Sequence, residues 1–514
     1  MDRLFPPVRR YDTRAIVRSL RLQNFRSFVD TGTIELRPLM VLVGANSAGK
    51  SSFLRFFPLL KQTVEAPSSG PLLWYGRYVD FGDFASVVRR GSAERNIDLT
   101  FELPSRLVND TTTLPITIHL SLGEKEGKTG LSRIVIKLAQ DTCEFRLNDS
   151  GQVRTCLLND VKLTGQTPEV TQQLAHSLQM QWISGSIMPR FQNDTLATIT
   201  RKILIARISE LSPADRINIS SLLVEKIRYF GQPEQFHQHL LSLDHRKSWK
   251  TIIKNNPPQS SRIKRLRSLV LATQIANRID MANVSLSGFA RSVSYIGPFR
   301  KDPVRFDRKQ ELSVQQIDPH GDNLAMFLLS LSSKDREDFD HWAAQHFGFG
   351  IKVDSTPSHV SVLIHDGKEA FNLIDMGYGL SQVLPVIAQC WLAAKRHPSV
   401  LQGVFSFPAL TAIEQPELHL HPRFQARLAD LFVGVIQASK AVSAVAPSTQ
   451  LVIETHSESM ISRLGELVSL GKLERKDCSV LLFQKESTGN TTVRTAEFNE
   501  DGMLSDWPVG FLSA

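Results

Sequence analysis

The chain has 514 residues and is 42% hydrophobic, which is enough apolar material for about two to four packed domains. No apolar run approaches the ~20 residues of a membrane-spanning helix, and residues 1–14, MDRLFPPVRRYDTR, lack the apolar core of a signal peptide. These features disfavour a membrane protein and a secreted protein, and we expect a cytoplasmic address.

The formal net charge of +9 is concentrated in one part of the chain. Nine Lys and Arg residues lie from Arg246 to Arg278 without an intervening Asp or Glu. Such a segment is typical of a surface that contacts nucleic acid or an acidic partner, and the alternative is a solvated helical face. The residues predicted to make such contacts are Lys247, Lys250, Lys254, Arg262, Lys264, Arg265 and Arg267.

The four cysteines carry no sign of a zinc site or of a disulfide framework, because none of them forms a C-x-x-C pair. We expect reduced structural thiols at Cys143, Cys156, Cys390 and Cys478.

The first third of the chain reads as an N-terminal sheet. An apolar–polar alternation predicts a strand over 16–24, with a partner strand over 33–36. The continuous apolar run LMVLV, Leu39–Val43, is typical of a buried central strand, and a glycine-rich loop and a helix over 51–64 follow it. Short β-like runs separated by turn residues predict an antiparallel sheet between 97 and 165.

Residues 167–290 have a helical pattern, and the last third alternates helix and strand. Ser212–Asp215 is a good helix start, and Asn255–Pro258 interrupts the basic segment. The later predicted elements are strands over 292–299 and 360–365, a helix after Gly379, a strand ending at Glu414, a helix after Pro422, a strand over 450–454, and a β pair at 480–483 and 492–495. This alternation predicts an α/β core with a parallel sheet.

The sequence Gly44-Ala45-Asn46-Ser47-Ala48-Gly49-Lys50-Ser51 matches the phosphate-loop pattern G-x-x-x-x-G-K-[ST] in its required place between a buried strand and a helix. Backbone N–H groups of such a loop turn toward phosphate oxygens, Lys50 reaches the β- and γ-phosphates, and Ser51 ligates magnesium. The residues predicted to bind the nucleotide are Arg26, Gly44, Asn46, Ser47, Gly49, Lys50, Ser51 and Ser52.

A phosphate loop needs a second acid to hold the metal, and Glu414, at the end of the apolar strand Leu410–Glu414, fits that role together with Ser51. Two further features accompany it. The small-residue turn Asp375–Gln382 opens a helix and predicts a second anion site. His456 lies just past another apolar strand.

The order of these features resembles the ATPase heads of the ABC/SMC/RecF superfamily. Gly44–Ser51 resembles Walker A, Gly377–Gln382 a divergent signature motif, Leu410–Glu414 Walker B, His419–His421 the D-loop, His456 the switch histidine, and Leu22–Phe28 the NFRSF-type opening of such heads. The resemblance implies an α/β, two-lobed P-loop head with a mixed sheet, an antiparallel β lobe and a helical insertion. We expect the first half of the head at 1–165, the basic insertion at 166–290 and the second half at 291–514.

Within that group the match sharpens. The stretches GYGLSQVLP, IEQPELHLHP, ETHSE, SYIGPFR and DGMLSDWPVGF resemble bacterial AAA/ABC-type ATPases with a C-terminal domain of unknown function. Relatives include the ATPase subunits of Septu-type anti-phage systems and the overcoming-lysogenization-defect (OLD) family. OLD proteins continue into a metal-dependent nuclease domain. About 60 residues follow His456, too few for such a domain, so we expect any nuclease to be a separate chain.

The resemblance implies ATP and Mg²⁺ as cofactors and a homodimer or higher oligomer, with the nucleotide between two subunits. Gly377, Gly379, Ser381 and Gln382 of one subunit would then face the phosphate loop of the other. The usual catalytic acid follows the metal acid, and here that position is Gln415, whose amide is a poor base. We expect slow hydrolysis, with Glu417 as the substitute base and His456 as the switch residue.

Three functions compete at this stage. The first is an ATP-binding, slowly hydrolysing subunit that dimerises on ATP and regulates a partner nuclease in anti-phage defence. The second is a RecF-like DNA-repair ATPase that binds DNA, or RNA, directly through the basic segment. The third, a transporter ATPase, is disfavoured because the insertion is long and basic and the opening is of the NFRSF type.

Overall fold

The computed structural model describes residues 17–68, 70–92, 95–106, 113–138, 141–148, 151–159, 161–162, 180–191, 195–227, 232–311, 313–395, 399–401, 405–442 and 449–505. The basic N-terminal stretch at 1–14, the first residue of the strand predicted over 16–24, the expected domain boundary at 165 and residues 506–511 of the closing sequence lie outside this part of the chain.

Within the described residues the strands are β1 Ser19–Phe25, β2 Phe28–Asp30, β3 Ile34–Glu35, β4 Leu39–Gly44, β5 Ile97–Arg106, β6 Thr113–Lys125, β7 Lys128–Leu138, β8 Asp141–Leu147, β9 Val153–Leu158, β10 Val161–Lys162, β11 Met180–Gln181, β12 Arg190–Phe191, β13 Val293–Ile296, β14 Asp307–Arg308, β15 Gly350–Ser355, β16 His359–His365, β17 Ala370–Asn372, β18 Ser399–Leu401, β19 Phe405–Phe407, β20 Ala409–Glu414, β21 Thr449–Glu454, β22 Cys478–Lys485 and β23 Thr491–Ala496.

The helices in the same part of the chain are α1 Lys50–Leu54, α2 Phe56–Glu65, α3 Phe84–Val87, α4 Thr195–Arg207, α5 Pro213–Lys226, α6 Pro233–Leu243, α7 Lys247–Lys254, α8 Ser261–Ser292, α9 Leu324–Ser330, α10 Ser333–Phe347, α11 Tyr378–Lys395, α12 Pro422–Val442 and α13 Glu458–Ser469. Short 3₁₀ turns cover Leu373–Met376 and Arg475–Asp477.

One large mixed sheet organises the molecule, with the strand order β10-β9-β8-β7-β6-β5-β1-β2-β23-β22-β4-β21-β20-β13 and β3 paired to β1. The strands from β22 to β13 are parallel to one another, and those from β1 through β5 to β10 pair antiparallel. The predicted α/β fold with a parallel core and an antiparallel β lobe is therefore confirmed.

The continuous apolar strands are explained by burial on both sheet faces, since successive side chains of a strand point to opposite faces. Leu39, Val41 and Val43 pack in one cluster with α11, α12 and α13. Met40 and Leu42 pack in a second cluster with α2, α8 and the antiparallel lobe. Full burial of each such side chain is worth about 1.5–3 kcal/mol, so β4 anchors both layers.

Most of the local predictions match the observed elements. The Ser212 hydroxyl accepts the Asp215 N–H and caps α5, and the Asn255–Pro258 break separates α7 from α8. The helix predicted over 51–64 is interrupted at Arg55, which divides α1 from α2. The expected boundary at 290 falls inside α8, which packs into the core cluster of the head.

The basic segment needs correction, because acids from elsewhere in the chain neutralise part of it. Arg267 is 5% exposed and forms a bidentate pair with Asp141 at 2.8 and 2.7 Å, so it is not available to an external partner. Arg262 pairs with Glu210 and Arg246 with Asp215. Arg278 is also buried, and burial lowers its pKa to about 10. Among the residues that the structure describes, no ion pair or burial of this kind engages the predicted contacts Lys247, Lys250, Lys254, Lys264 and Arg265.

The four cysteines are buried and unbridged, as predicted. Burial raises the pKa of the Cys156 and Cys478 thiols to about 12, so both are unreactive near neutral pH. Among the helices described above, none combines the length and apolarity that crossing a membrane requires.

The Asp141–Arg267 pair ties the antiparallel lobe to α8, and its loss should destabilise the protein. Asp141→Asn removes the carboxylate that accepts two hydrogen bonds from the buried Arg267 guanidinium. We expect the free energy of unfolding to fall by about 3–5 kcal/mol, measured by urea denaturation with tryptophan fluorescence.

Glu210→Gln is the matched control, because it breaks the pair between Glu210 and Arg262, an arginine on the same helix α8 as Arg267. The side chains of Arg262 and Glu210 are 34% and 52% exposed. Its expected cost is about 1 kcal/mol or less. Equal losses in the two variants would contradict a structural role for the buried pair.

Candidate functional site

The loop Gly44–Ser51 connects β4 to α1 and is shaped by unusual backbone angles. Gly44, Ser47 and Gly49 have φ values of 152°, 58° and 96°. A Cβ at Gly44 would lie 2.3 Å from the Phe483 carbonyl oxygen of the adjacent strand β22, so only glycine fits there. The loop curls in this way to form a concave surface ahead of the helix.

Lys50 is buried against this loop, with 3% of its surface exposed. Its Nζ donates hydrogen bonds to the carbonyl oxygens of Gly44 and Ala45, both at 2.9 Å. Burial lowers the pKa of Lys50, while the charges of Glu454 and Glu417 act in the opposite direction. The ammonium group therefore lies at the base of the concave loop.

A cavity of about 790 Å³ opens over the loop. Its described lining includes five basic side chains, Arg26, Lys50, Arg89, Arg90 and Lys485, and a single carboxylate, Glu454. The predicted residues Asn46, Ser47, Gly49, Ser51, Ser52, Gln415 and His456 also line it. A cavity with this excess of positive charge suits a strongly anionic ligand such as a polyphosphate.

Glu454 ends β21 and contacts the loop directly. The Ser51 hydroxyl donates to Glu454 Oε1 at 2.8 Å, and Glu454 Oε2 has no hydrogen-bond partner among the described residues. The residue is 2% exposed. Burial, and then the nearby charge of Glu414, raise the pKa of Glu454 to about 7, against the opposing effects of Ser51 and Lys50.

Glu414, the predicted metal acid, lies one strand further from the loop and is fully engaged elsewhere. Arg55 donates to Glu414 Oε1 at 2.7 Å and to Oε2 at 2.8 Å, and the Tyr295 hydroxyl donates to Oε1 at 2.7 Å. Glu414 is absent from the cavity lining described above. The structure thus brings Ser51 to Glu454 and pairs Glu414 with Arg55.

Gln415 reaches the cavity because its backbone adopts a left-handed conformation, with φ of 42°. For a residue other than glycine this costs about 1–3 kcal/mol. The conformation is held by hydrogen bonds: the Gln415 N–H donates to the Glu454 carbonyl at 2.8 Å, and the buried Arg300 donates to the Gln415 carbonyl at 3.3 Å. Burial lowers the pKa of Arg300 to about 10.

His456 and Glu417, the other predicted catalytic residues, have different positions. His456 lines the cavity, half-buried, and burial lowers its pKa. Glu417 is behind it, 8% exposed, and its Oε1 accepts the backbone N–H of His456 at 2.7 Å. Burial raises the pKa of Glu417. Glu417 therefore orients the His456 backbone and is not presented to the cavity.

The predicted signature turn lies outside the cavity of its own chain. A Cβ at Gly379 would lie 2.5 Å from the His419 carbonyl, so this glycine lets α11 pack against the loop after β20. Gly377 is exposed. The side chains of Ser381 and Gln382 are buried and bond to carbonyl oxygens of the same chain, Tyr378 and Lys301.

Besides Glu454, four contributors to the site escape sequence reasoning. Arg89 and Arg90 lie in the loop after α3, which matches no known sequence motif. The only feature that could have indicated them is that they are two adjacent cations. Lys485 and Asn490 come from the β22–β23 hairpin. That hairpin reaches the cavity because β22 pairs with β4, a contact between residues more than 400 positions apart that no local pattern reveals.

Comparison with protein families gives two matches. Residues 16–264 match a family described as "AAA ATPase domain", and residues 236–462 match one described as "AAA domain, putative AbiEii toxin, Type IV TA system". Two overlapping stretches of the chain are thus similar to AAA-type ATPase domains. No curated protein matches it.

Similar solved structures include the SMC head domain from Thermotoga maritima, with 10% identity, a TM-score of 0.34 and coverage of 94% of this chain and 98% of that chain. The recombination mediator protein RecF with a bound nucleotide analogue has 9% identity, a TM-score of 0.30 and coverage of 94% and 98%. Because both TM-scores are low, the assignment of the α/β fold rests on the strand order of the large sheet.

The placement of Gln415 and Glu417 predicts which residue limits ATP turnover. Gln415→Glu returns a carboxylate to the cavity wall, and we expect turnover to rise about 10²-fold, since a general base typically contributes ~10²–10⁴. Glu417→Gln keeps an acceptor for the His456 N–H, so its effect should stay well below a ~10²-fold loss. Steady-state ATPase assays measure both.

Glu417→Ala is the companion variant, because it removes the acceptor and frees His456. It should lower turnover more than Glu417→Gln does. A loss of ~10²-fold or more in Glu417→Gln would instead assign the base role to Glu417.

Proposed function

We propose that this chain, which carries AAA-type ATPase domain sequence, binds ATP in the cavity over Gly44–Ser51, dimerises around the bound nucleotide and hydrolyses it slowly. The carrying observation is the cavity: five basic side chains and one carboxylate face a concave phosphate loop. The free N–H groups at the start of α1 and the Lys50 ammonium add favourable interactions for the β- and γ-phosphates.

The donor set at the loop fits Mg²⁺, which prefers oxygen ligands. The Ser51 hydroxyl and the Glu454 carboxylate lie 2.8 Å apart, and the second Glu454 oxygen is buried without a protein partner among the described residues. When bound, Mg²⁺ neutralises charge on the β- and γ-phosphate oxygens. Ser51, Lys50 and the loop N–H groups hold the phosphates in place.

The groups that line the cavity wall support the proposal of slow hydrolysis. The Gln415 amide can orient a water molecule but accepts its proton poorly. His456 is adjacent in the cavity, and its lowered pKa keeps it neutral near pH 7. We propose that these two residues position the water and that the ATP-bound state is consequently long-lived.

A second copy of the chain is the proposed partner of the signature turn. The first-turn N–H groups of α11 lack intrahelical acceptors, and Gly377 and Tyr378 beside them are exposed. In a dimer these N–H groups would meet the phosphates held by the other subunit. The buried Ser381 and Gln382 side chains would shape this turn from within.

An exposed apolar surface surrounds the same turn. Six of the twelve large hydrophobic residues exposed in the described chain come from two short segments: Phe299, Val304, Phe306, Phe371, Ile374 and Tyr378. The Arg305–Asp375 ion pair and the Tyr378–Asp302 hydrogen bond hold the segments together. Concentrated apolar exposure of this kind marks an interaction surface, and its continuity with the signature turn favours a second copy.

The regulated partner is proposed to be a separate nuclease subunit in anti-phage defence. The sequence resemblance to Septu-type and OLD-family ATPases supports this, and one matched family description names a toxin of a toxin–antitoxin system. The alternative, direct binding of DNA or RNA, relies on Lys247, Lys250, Lys254, Lys264 and Arg265. Internal pairing of the neighbouring arginines leaves a smaller cationic surface for it.

ATP-dependent dimerisation is the test of the proposal. We expect the wild-type chain with Mg²⁺ and ATP to double its mass in light scattering coupled to gel filtration. Lys50→Ala should lose both ATP binding and dimerisation, because the β- and γ-phosphates lose their cation. Phe299→Asp should keep ATP binding but remain monomeric, because it places a charge in the apolar surface.

Leu470→Asp is the matched control for Phe299→Asp. Leu470 is 57% exposed and follows α13 at the end remote from the cavity, so this variant should bind ATP and dimerise. Unimpaired ATP binding by Lys50→Ala would refute the proposed site. A wild-type chain that stays monomeric at saturating ATP would refute the dimer.

A further inference from the structure

We infer that Glu454, and not Glu414, is the carboxylate that joins the Ser51 hydroxyl in holding the divalent cation of a bound nucleotide. This inference rests on the proposed ATP binding and specifies the protein ligands of its cation. It gives Glu414 a different task, as the buried partner of Arg55.

Glu454 has the geometry of a cation ligand. Its Oε1 lies 2.8 Å from Ser51 Oγ, so one ion can contact both oxygens. Its Oε2 is buried and has no hydrogen-bond partner among the described residues. Leaving a buried carboxylate oxygen unsatisfied is costly, and a bound cation removes that cost. Glu454 is also the one acidic residue in the described cavity lining.

Glu414 lacks each of these properties. Both of its oxygens accept hydrogen bonds from Arg55, and Oε1 accepts a further one from Tyr295. An Arg–carboxylate pair in this bidentate form is strong and directional. Its charge is already compensated, so a divalent cation would have to displace the Arg55 guanidinium to reach it.

The sheet order also places the two carboxylates differently relative to the phosphate loop. β21 pairs directly with β4, which carries the phosphate loop, and β20 lies on the far side of β21. Neighbouring strands are about 4.8 Å apart, so the backbone of Glu454 is one strand spacing from β4 and that of Glu414 is two. Glu414 and Glu454 are register partners at the same level of the sheet, so they differ in their lateral distance from β4 and in the pairing of Glu414 with Arg55.

Calorimetric titration with a non-hydrolysable ATP analogue, in Mg²⁺ and in EDTA, separates the two carboxylates. We expect Mg²⁺ to tighten binding to the wild-type chain by about 10- to 100-fold. Glu454→Gln should bind the analogue in EDTA as the wild type does, but should lose most of the Mg²⁺ effect. Glu414→Gln should keep it. Electron paramagnetic resonance titration with Mn²⁺ then gives the cation affinity directly, and Glu454→Gln should weaken it to a similar extent.

Each outcome decides a different statement. A Glu454→Gln chain that retains the full Mg²⁺ effect, or a Glu414→Gln chain that loses it while still folded by circular dichroism, would overturn the assignment of Glu454. Absence of analogue binding by the wild type under both conditions would overturn the proposed function itself.

Discussion

Arg55 and Glu414 form a bidentate ion pair that joins the helix region after the phosphate loop to the end of β20. Glu414 is 2% exposed, so its charge must be compensated within the protein. Tyr295 adds a hydrogen bond from β13 and brings a third element to the same point. Gln415 directly follows Glu414, and Lys50 precedes Arg55 by five residues. The Arg55–Glu414 contact therefore fixes the position of Gln415 relative to Lys50 in the cavity.

The pair also makes two adjacent carboxylates unequal. Parallel strands end at one edge of the sheet, which places Glu414 and Glu454 side by side as register partners. Arg55 forms hydrogen bonds with the first, whereas the second accepts a hydrogen bond from the Ser51 hydroxyl and interacts with the charges of Lys50 and Arg55 at longer range. The residual negative charge therefore lies at the phosphate loop, where a nucleotide-bound cation would be. Under the proposed function, a cation bound at Glu454 would reduce the electrostatic repulsion between the carboxylates that end β20 and β21.

Local sequence patterns predict the elements of this site well, since the phosphate loop, its flanking strand and helix, and the strand ending at Glu414 depend on neighbouring residues. Charge pairing is different, because it depends on contacts across the fold. Arg55 looks like an ordinary helical arginine, yet its partner is 359 positions away. The basic segment looks uncompensated for the same reason: Asp141 lies 126 positions from Arg267. Glu454 is visible in the sequence, but nothing local distinguishes it from any acid that ends a strand.

The composition of the cavity bears on the balance between binding and turnover. Five cations line the cavity over the phosphate loop. Under the proposed function they contact the phosphates in both the ground state and the transition state, and interactions of equal strength in the two states lower KM without raising kcat. A faster reaction needs a group that acts only in the transition state. Gln415 occupies the position where a general base is expected, and its side chain is an amide. Hydrogen bonds from Arg300 and to Glu454 hold its backbone in a strained conformation. The left-handed backbone conformation of Gln415 costs free energy although its side chain is not a base, which indicates that the position of the amide in the cavity is important for the site. This composition fits the function proposed above, in which ATP stays bound and the nucleotide-bound dimer is the output.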